Sequence, residues 1–235
     1  MQEYLHLLKS QHKTPSDSFF KHTVYGLRYA YRVFGMKEMR VVLPSIERPK
    51  TLPVVLNHRE VKQLLRTPKL LKHRLVLAML YGCGLRNFEL RHLQRRDLDF
   101  DRKMLHVRQG KGRKDRYVPL SEMQIRGLKK YLQAENPVTW CFTGNDKTGS
   151  PAQLSSQGVQ WIVREARKQS GIPKDITAHI LRHSYATHLL EMGLDIMSVK
   201  DLLGHADIQT TLIYLHVAQS GRQKPFSPLD RLYGQ

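Results

Sequence analysis

The chain has 235 residues, with 39 Lys and Arg against 20 Asp and Glu, a formal charge of +19 before any histidine is counted. That length suits one ordinary domain, or one with a small appendage, and 40% hydrophobic residues suffice for a sizeable core. The excess of positive charge calls for a polyanionic partner, while the absence of an ~18-residue apolar run, of a secretory leader pattern and of more than two cysteines (Cys83 and Cys141) argues against a membrane span, export, a disulfide framework or a zinc cluster. A reducing, cytoplasmic setting is the expectation.

In chain order, residues 3–9 read as the end of a helix and residues 16–35 as another, with Phe20, Val24, Leu27, Tyr31 and Phe34 at helical spacing and Gly35 as its stop. Residues 43–53 (LPSIERPKTLP) carry three prolines and mixed charge, which continue neither helix nor central strand, so a boundary is expected there. Beyond it, Asn57 caps a helix over 58–66. LLKHRLVLAMLYG forms an apolar helix ending in the Gly82-Cys83-Gly84 turn, and a short helix starts near residue 86. Residues 104–108 and 116–118 read as strands joined by the hairpin loop GKGRKD. Helices then follow over 121–134, from Ser155 or Ser156 to about 169, from Thr177 to Met192, from Asp195 to Gly204, and from Asp207 through Val217. The class expected is mainly α with a small antiparallel sheet (α+β).

Four segments carry polar groups that a core has no use for. Arg86 follows a Gly turn at a helix start, where the helix dipole favours acids, and Glu89 lies one turn on, able to hold the guanidinium. Lys111 sits at the hairpin tip. His179 and Arg182 share a helix face. His205 follows Gly204, and Tyr214 comes nine residues later. Each alone has a plain reading: a surface ion pair, a solvated lysine, a polar face, a helix cap, an amphipathic core tyrosine.

Together, Gly-Leu-Arg-x-x-Glu-Leu (84–90), Gly-Lys-Gly-x-Lys-Asp-Arg-x-Val-Pro-Leu (110–120), His-x-Leu-Arg-His-Ser-x-Ala-Thr-His-Leu-Leu (179–190) and Leu-Leu-Gly-His-Ala-x-Ile-x-Thr-Thr-x-x-Tyr (202–214) resemble the tyrosine recombinase (phage integrase) family in order and spacing. The resemblance covers about 53–218. It implies a helical catalytic domain over 54–218, with Arg86, Lys111, His179, Arg182 and His205 activating a phosphate, Tyr214 as nucleophile and Glu89 as a support. It also implies that residues 1–50 are a partial helical core-binding (SAM-like) domain and that 219–235 are a C-terminal tail, with docking in cis, docking on a neighbouring subunit and disorder as the alternatives.

The chemistry implied is transesterification on double-stranded DNA. Two guanidiniums offset the charge that builds on an attacked phosphodiester, and they do so as planar forks that stay protonated. A phenol with a pKa of about 10 needs a proton acceptor or a cationic pocket; His179 suits the first and the arginines the second. Lys111 can protonate the leaving 5′ oxygen, and His205 can bond a phosphate oxygen. No cofactor and no metal is implied. Although His179, His183 and His188 share a helix, the Glu of a His-Glu-x-x-His site is missing, and His183 and His188 are expected to pack or hydrogen-bond behind the site.

Residues 91–116 hold ten basic and four acidic side chains, and Arg91, Arg95, Arg96, Arg113, Lys114 and Arg116 are expected to grip DNA phosphates. A homo-oligomer, a tetramer on DNA, is the implied assembly, with no membrane involved. The function expected is a site-specific recombinase or integrase of a bacterial mobile element, acting through a 3′-phosphotyrosyl intermediate. The competing readings are a type IB topoisomerase-like enzyme and an inactive DNA-binding remnant.

Overall fold

The computed structural model describes residues 17–36, 53–108, 115–145 and 148–218. The chain divides into two units, 1–51 and 52–235. In the first, helix α1 (Asp17–Val33) ends where Gly35 takes φ +73° and the Met36 amide bonds the Tyr31 carbonyl at 2.9 Å, the stop expected from a glycine able to turn left-handed. The helix expected over 3–9 and the tail 219–235 lie outside the described residues.

The second unit opens with α2 (His58–Arg66). The Glu60 amide donates to Asn57 Oδ1 and the Asn57 amide donates to Glu60 Oε2, both at 2.8 Å, so two otherwise orphaned donors are satisfied. The apolar helix α3 (Leu71–Gly82) is the centre of the fold: Leu75 to Leu80 are all buried, because α3 is covered on several sides by other helices. Five of those side chains are fully sized aliphatics or Met, each contributing about 1.5–3 kcal/mol by leaving water. The neighbours are α5 (Glu122–Glu135), α6 (Ser156–Ser170) and α7 (Ala178–Glu191), each begun by the cap its sequence announces: Ser121, Ser155 and Thr177. Helices α4 (Asn87–Arg91) and α8 (Ile196–Leu203) flank the site.

The expected hairpin is present as β2 (Met104–Val107) and β3 (Arg116–Pro119), but β1 (Leu98–Asp99) pairs with β2 to make a three-stranded antiparallel sheet in the order β1-β2-β3. A second small pair, β4 (Thr143–Asn145) and β5 (Pro151–Gln153), was also not foreseen. Both additions are two or three residues long, too short for a period-2 signal. Tertiary bonds hold the second pair's flanks, among them Cys141 N–H to Leu93 O at 2.7 Å and Leu154 N–H to Phe142 O at 3.2 Å.

The single helix expected from Asp207 to Val217 is corrected. It is a short helix, α9 (Gln209–Leu212), that tightens into a 3₁₀ turn over Ile213–His216. The tighter winding exposes Ile213 and Leu215 and turns Tyr214 inward, into a small cluster with Tyr185, Ala186, Val199, Leu203 and Ala218.

Candidate active site

The site is organised around one buried carboxylate. Glu89 lies on α4, and its oxygens take the Arg86 amide (2.9 Å), the Arg86 guanidinium (2.7 Å) and a two-point bond from Arg116 on β3 (2.8 and 2.9 Å). The Arg182 guanidinium stands 3.9 Å away. Burial alone would raise the pKa of Glu89. The bonds and charge of Arg116, with the amide and charge of Arg86, overcome it and hold the carboxyl at about 2. One negative charge thus anchors three guanidiniums.

Backbone carbonyls fix the rest of each guanidinium. Arg182, on α7 and 1% exposed, donates to Gly84 O and Leu203 O, each at 2.5 Å. Arg86 donates to Gly204 O at 3.2 Å and Arg116 to Leu202 O at 2.7 Å. Two glycines make these approaches possible. Gly84 takes φ +57°, and a Cβ there would stand 2.4 Å from the Tyr185 ring; Gly204 takes φ +61°, with a Cβ 3.1 Å from Arg116. The Gly-Leu-Arg and Gly-His motifs are therefore two turns whose carbonyls point at arginines. Burial and the charges of Arg86 and Arg116 lower the Arg182 pKa to about 9, against Glu89, which raises it; the group remains charged at neutral pH.

The histidines and the tyrosine close the site. His179 is exposed on α7, edge-on to His183 at 4.1 Å between centroids. Burial, with Arg182 and Arg86, lowers the pKa of His179. His205 Nδ1 lies 2.9 Å from Thr211 Oγ1, and burial together with Arg182, Arg86, Arg116 and His179 depresses it to about 3. Tyr214 is 1% exposed, and its hydroxyl lies 2.8 Å from Nδ1 of His183. Burial raises the phenol's pKa, and Arg182 and Arg86 work against that rise. Arg86, His179, Arg182, His205 and Tyr214 are thus brought together from three of the four motif segments. Lys111 lies in 109–114, outside the described residues, as do Arg113 and Lys114.

Two residues have places that differ from the expectation. Arg116, expected to grip DNA, is 9% exposed with its guanidinium spent on Glu89 and Leu202, so that expectation is corrected: the residue is an internal strut of the site. Strand parity carried the signal, since Arg116 shares the inward face of β3 with Val118, and an inward arginine requires a carboxylate. His183, expected behind the site, bonds the tyrosine itself; its i,i+4 relation to His179 and its place beside Arg182 were the visible clue.

The basic stretch is also less free than its count suggested. Arg108 pairs with Asp97 at 2.5 Å, Lys103 with Glu122 at 2.5 Å and Arg102 with Asp99 at 3.9 Å. Arg91 donates to Leu154 O at 2.7 Å and ties α4 to the end of β5, whereas Arg95 and Arg96 are exposed.

The one group among the described residues with donors close enough for a metal is His58, His188 and Glu191, whose candidate atoms lie within 4.8 Å. There His188 Nδ1 lies 2.9 Å from the Tyr81 hydroxyl, and its ring stacks on His58 at 4.0 Å. Stacked rings do not aim their in-plane lone pairs at a common point, so these residues do not form a preset metal cage.

A helical domain that gathers the half-buried Arg86, the buried Arg182, two histidines and an inward tyrosine beside a small sheet has the fold of a tyrosine recombinase catalytic domain. Comparison with known proteins agrees. The model of the phage integrase family matches residues 54–220. The tyrosine recombinase XerA of Thermococcus onnurineus is 36% identical over 213 residues, covering 90% of this chain and 75% of the relative. The tyrosine recombinase XerD of Staphylococcus aureus is 36% identical over 234 residues, covering 94% and 78%. The crystal structure of XerA recombinase superposes with a TM-score of 0.66 at 27% identity, over 98% of this chain and 80% of that one. The XerH site-specific recombinase bound to difH substrate shares the fold at a TM-score of 0.70 and 22% identity, over 97% and 68%. The chain belongs to the phage integrase family and is a tyrosine-type site-specific DNA recombinase. Among the described residues, no helix is long and apolar enough to cross a membrane.

Proposed function

We propose that Tyr214 is the nucleophile of this recombinase, attacking a phosphodiester of duplex DNA held by Arg86 and Arg182. The observation that carries the reading is the placement of the Tyr214 phenol within the field of two guanidiniums that a single carboxylate and four backbone carbonyls already hold in place together with Arg116. Preorganised cations aimed at developing charge cost nothing to reorient as the phosphorane forms, which is the main source of electrostatic catalysis. Arg86 is the more accessible of the two clamps, and its charge reaches both His179 and His205.

In this reading the Tyr214 oxygen bonds the phosphorus and the bond to the 5′ oxygen breaks. Lys111 supplies the proton to that oxygen, and His205 donates to a nonbridging oxygen. The product is a 3′-phosphotyrosyl link and a free 5′ hydroxyl, and attack by the 5′ hydroxyl of a second duplex reverses the step without an external energy source. Exchange of four strands with one tyrosine per chain supports a tetramer on DNA. Residues 1–50 act in this scheme as part of the DNA clamp, Arg95 and Arg96 as phosphate contacts, and a bacterial mobile element in a cytoplasmic setting is the context the reading favours.

The test uses a nicked duplex built on the sequence that the protein itself selects from a randomised duplex library. A covalent protein–DNA adduct on a denaturing gel, absent for Tyr214→Phe, is the result expected; an adduct that survives Tyr214→Phe overturns the assignment. Products joined between two duplexes separate recombination from a topoisomerase-like act on one, and absence of any adduct with binding intact marks an inactive DNA-binding protein.

A further inference from the structure

The proton of Tyr214 has a defined place to go, and it is not the histidine that the motif puts forward. The phenol lies 2.8 Å from His183 Nδ1, and its ring centroid is 5.4 Å from the imidazole's. Among the described residues no other side chain hydrogen-bonds that hydroxyl. His179 faces outward, one turn earlier on α7, and His205 has its Nδ1 on Thr211. The direction of the bond follows from satisfaction. If His183 donated through Nδ1, the hydroxyl proton of a 1%-exposed tyrosine would have no acceptor among the described residues; with Nδ1 accepting, the buried phenol is paired.

We propose that His183 positions the Tyr214 hydroxyl and accepts its proton as the tyrosine attacks phosphorus. The proposal rests on the reading of Tyr214 as nucleophile and adds the base to it. As the O–P bond forms, the hydroxyl proton passes to His183 Nδ1, the bond from phosphorus to the 5′ oxygen breaks, and Lys111, the acid of that reading, gives this oxygen its proton. On religation the proton returns from His183 to the phenolate.

The surroundings make this acceptor conditional on DNA. His183 is flanked on its own helix by His179 and Arg182. The 3₁₀ turn brings Tyr214, whose ring lies 6.4 Å from that of His205 and whose phenol feels Arg182 and Arg86. Burial, His179 and Arg182 hold His183 down to about 4, so without DNA the imidazole is uncharged and the pair is an ordinary neutral hydrogen bond that leaves the phenol protonated. A phosphodiester seated on Arg182 and Arg86 adds a negative charge that opposes this field and favours the imidazolium. The base therefore gains strength when the substrate it serves is present, and the nucleophile stays protonated when it is absent.

The experiment compares adduct formation by the full chain and by His183→Ala, His183→Gln, His179→Ala and Tyr214→Phe on the nicked duplex, with melting temperature and DNA binding measured for each. His183→Ala is expected to cleave about 10²- to 10⁴-fold more slowly, the range for a lost general base, with binding retained and with rate restored by added imidazole. A 5′-bridging sulfur in the substrate, which leaves without protonation, should not restore it. If His183→Ala does not fold, His183→Gln keeps a hydrogen-bond acceptor that cannot take a proton and should fold, bind and cleave slowly. Wild-type cleavage by either folded His183 variant while Tyr214→Phe is inert overturns the role of His183 alone. Rescue of His183→Ala by the sulfur substrate overturns it too, by placing the histidine on the leaving-group side, as does imidazole rescue of His179→Ala but not of His183→Ala. An adduct in Tyr214→Phe overturns the nucleophile reading beneath it.

Discussion

Glu89 and Arg116 meet through two parallel hydrogen bonds of 2.8 and 2.9 Å, at a point where neither is solvated. The pair joins helix α4 to the first residue of strand β3, five positions after Lys111 in the sequence. A carboxylate that spends both oxygens on one arginine and still accepts the Arg86 amide and guanidinium sets the positions of two cations at once. Removing one partner of such a pair leaves the other charge buried. Glu89→Gln is expected to cost about 3–5 kcal/mol of stability, and Arg116→Ala a comparable amount. In urea unfolding the double variant should lose less than the sum of the singles. Strict additivity would deny that the two residues act as a unit.

Gly84→Ala combines a left-handed backbone with a Cβ placed 2.4 Å from the Tyr185 ring. The turn must shift, and its carbonyl, which receives Arg182, shifts with it. The expected outcome is a lower melting temperature together with a loss of cleavage larger than the loss of DNA binding. Equal losses of binding and cleavage would place the effect on the DNA surface instead.

Acid should destabilise the protein in two stages. His183 and His205 are held at about 4 and about 3 in the folded chain, against about 6.5 when unfolded. Their neutral forms are native, so their contribution is complete above pH 6.5 and is lost as the pH falls towards those values, because the unfolded chain binds the extra protons. Glu89, held at about 2 against about 4.3 unfolded, adds stability that is complete above pH 4.3 and lost as the pH falls towards 2. Urea midpoints should therefore fall from pH 7 to pH 4.5, and His183→Gln with His205→Gln should flatten that limb; an unchanged slope would falsify the neutral-histidine account.

Salt dependence of DNA binding distinguishes grip from strut. Each phosphate contact removed lowers the slope of log K against log salt by about 0.9. Arg95→Ala and Arg96→Ala, at exposed positions, are expected to lower it by that step. Arg116→Gln, which changes a buried strut, is expected to leave the slope where it was while lowering stability. A slope change for Arg116→Gln equal to that of Arg96→Ala would return Arg116 to the DNA surface.

Much of this protein was legible before any coordinates. The caps at Asn57, Ser121, Ser155, Thr177 and Asp195 announce their helices through local hydrogen bonds, and local bonds need only neighbouring residues. The motifs around Arg86, Lys111, Arg182, His205 and Tyr214 identify the family by residue type and spacing alone. The tertiary structure decided which charges are spent and which remain. From composition Arg116 is one more basic residue among ten in its stretch; only folding brings Glu89, 27 positions earlier, to its guanidinium, and Leu202, 86 positions later, to its Nε. His183 reads as a packing histidine until the 3₁₀ turn over Ile213–His216, a geometry with no sequence period of its own at that length, rotates Tyr214 onto it. Residue types and local order follow from the chain's covalent sequence. The pairing of buried charges and the hydrogen-bond partner of Tyr214 depend on contacts between distant segments, where desolvation makes each unpaired group costly and so selects one arrangement.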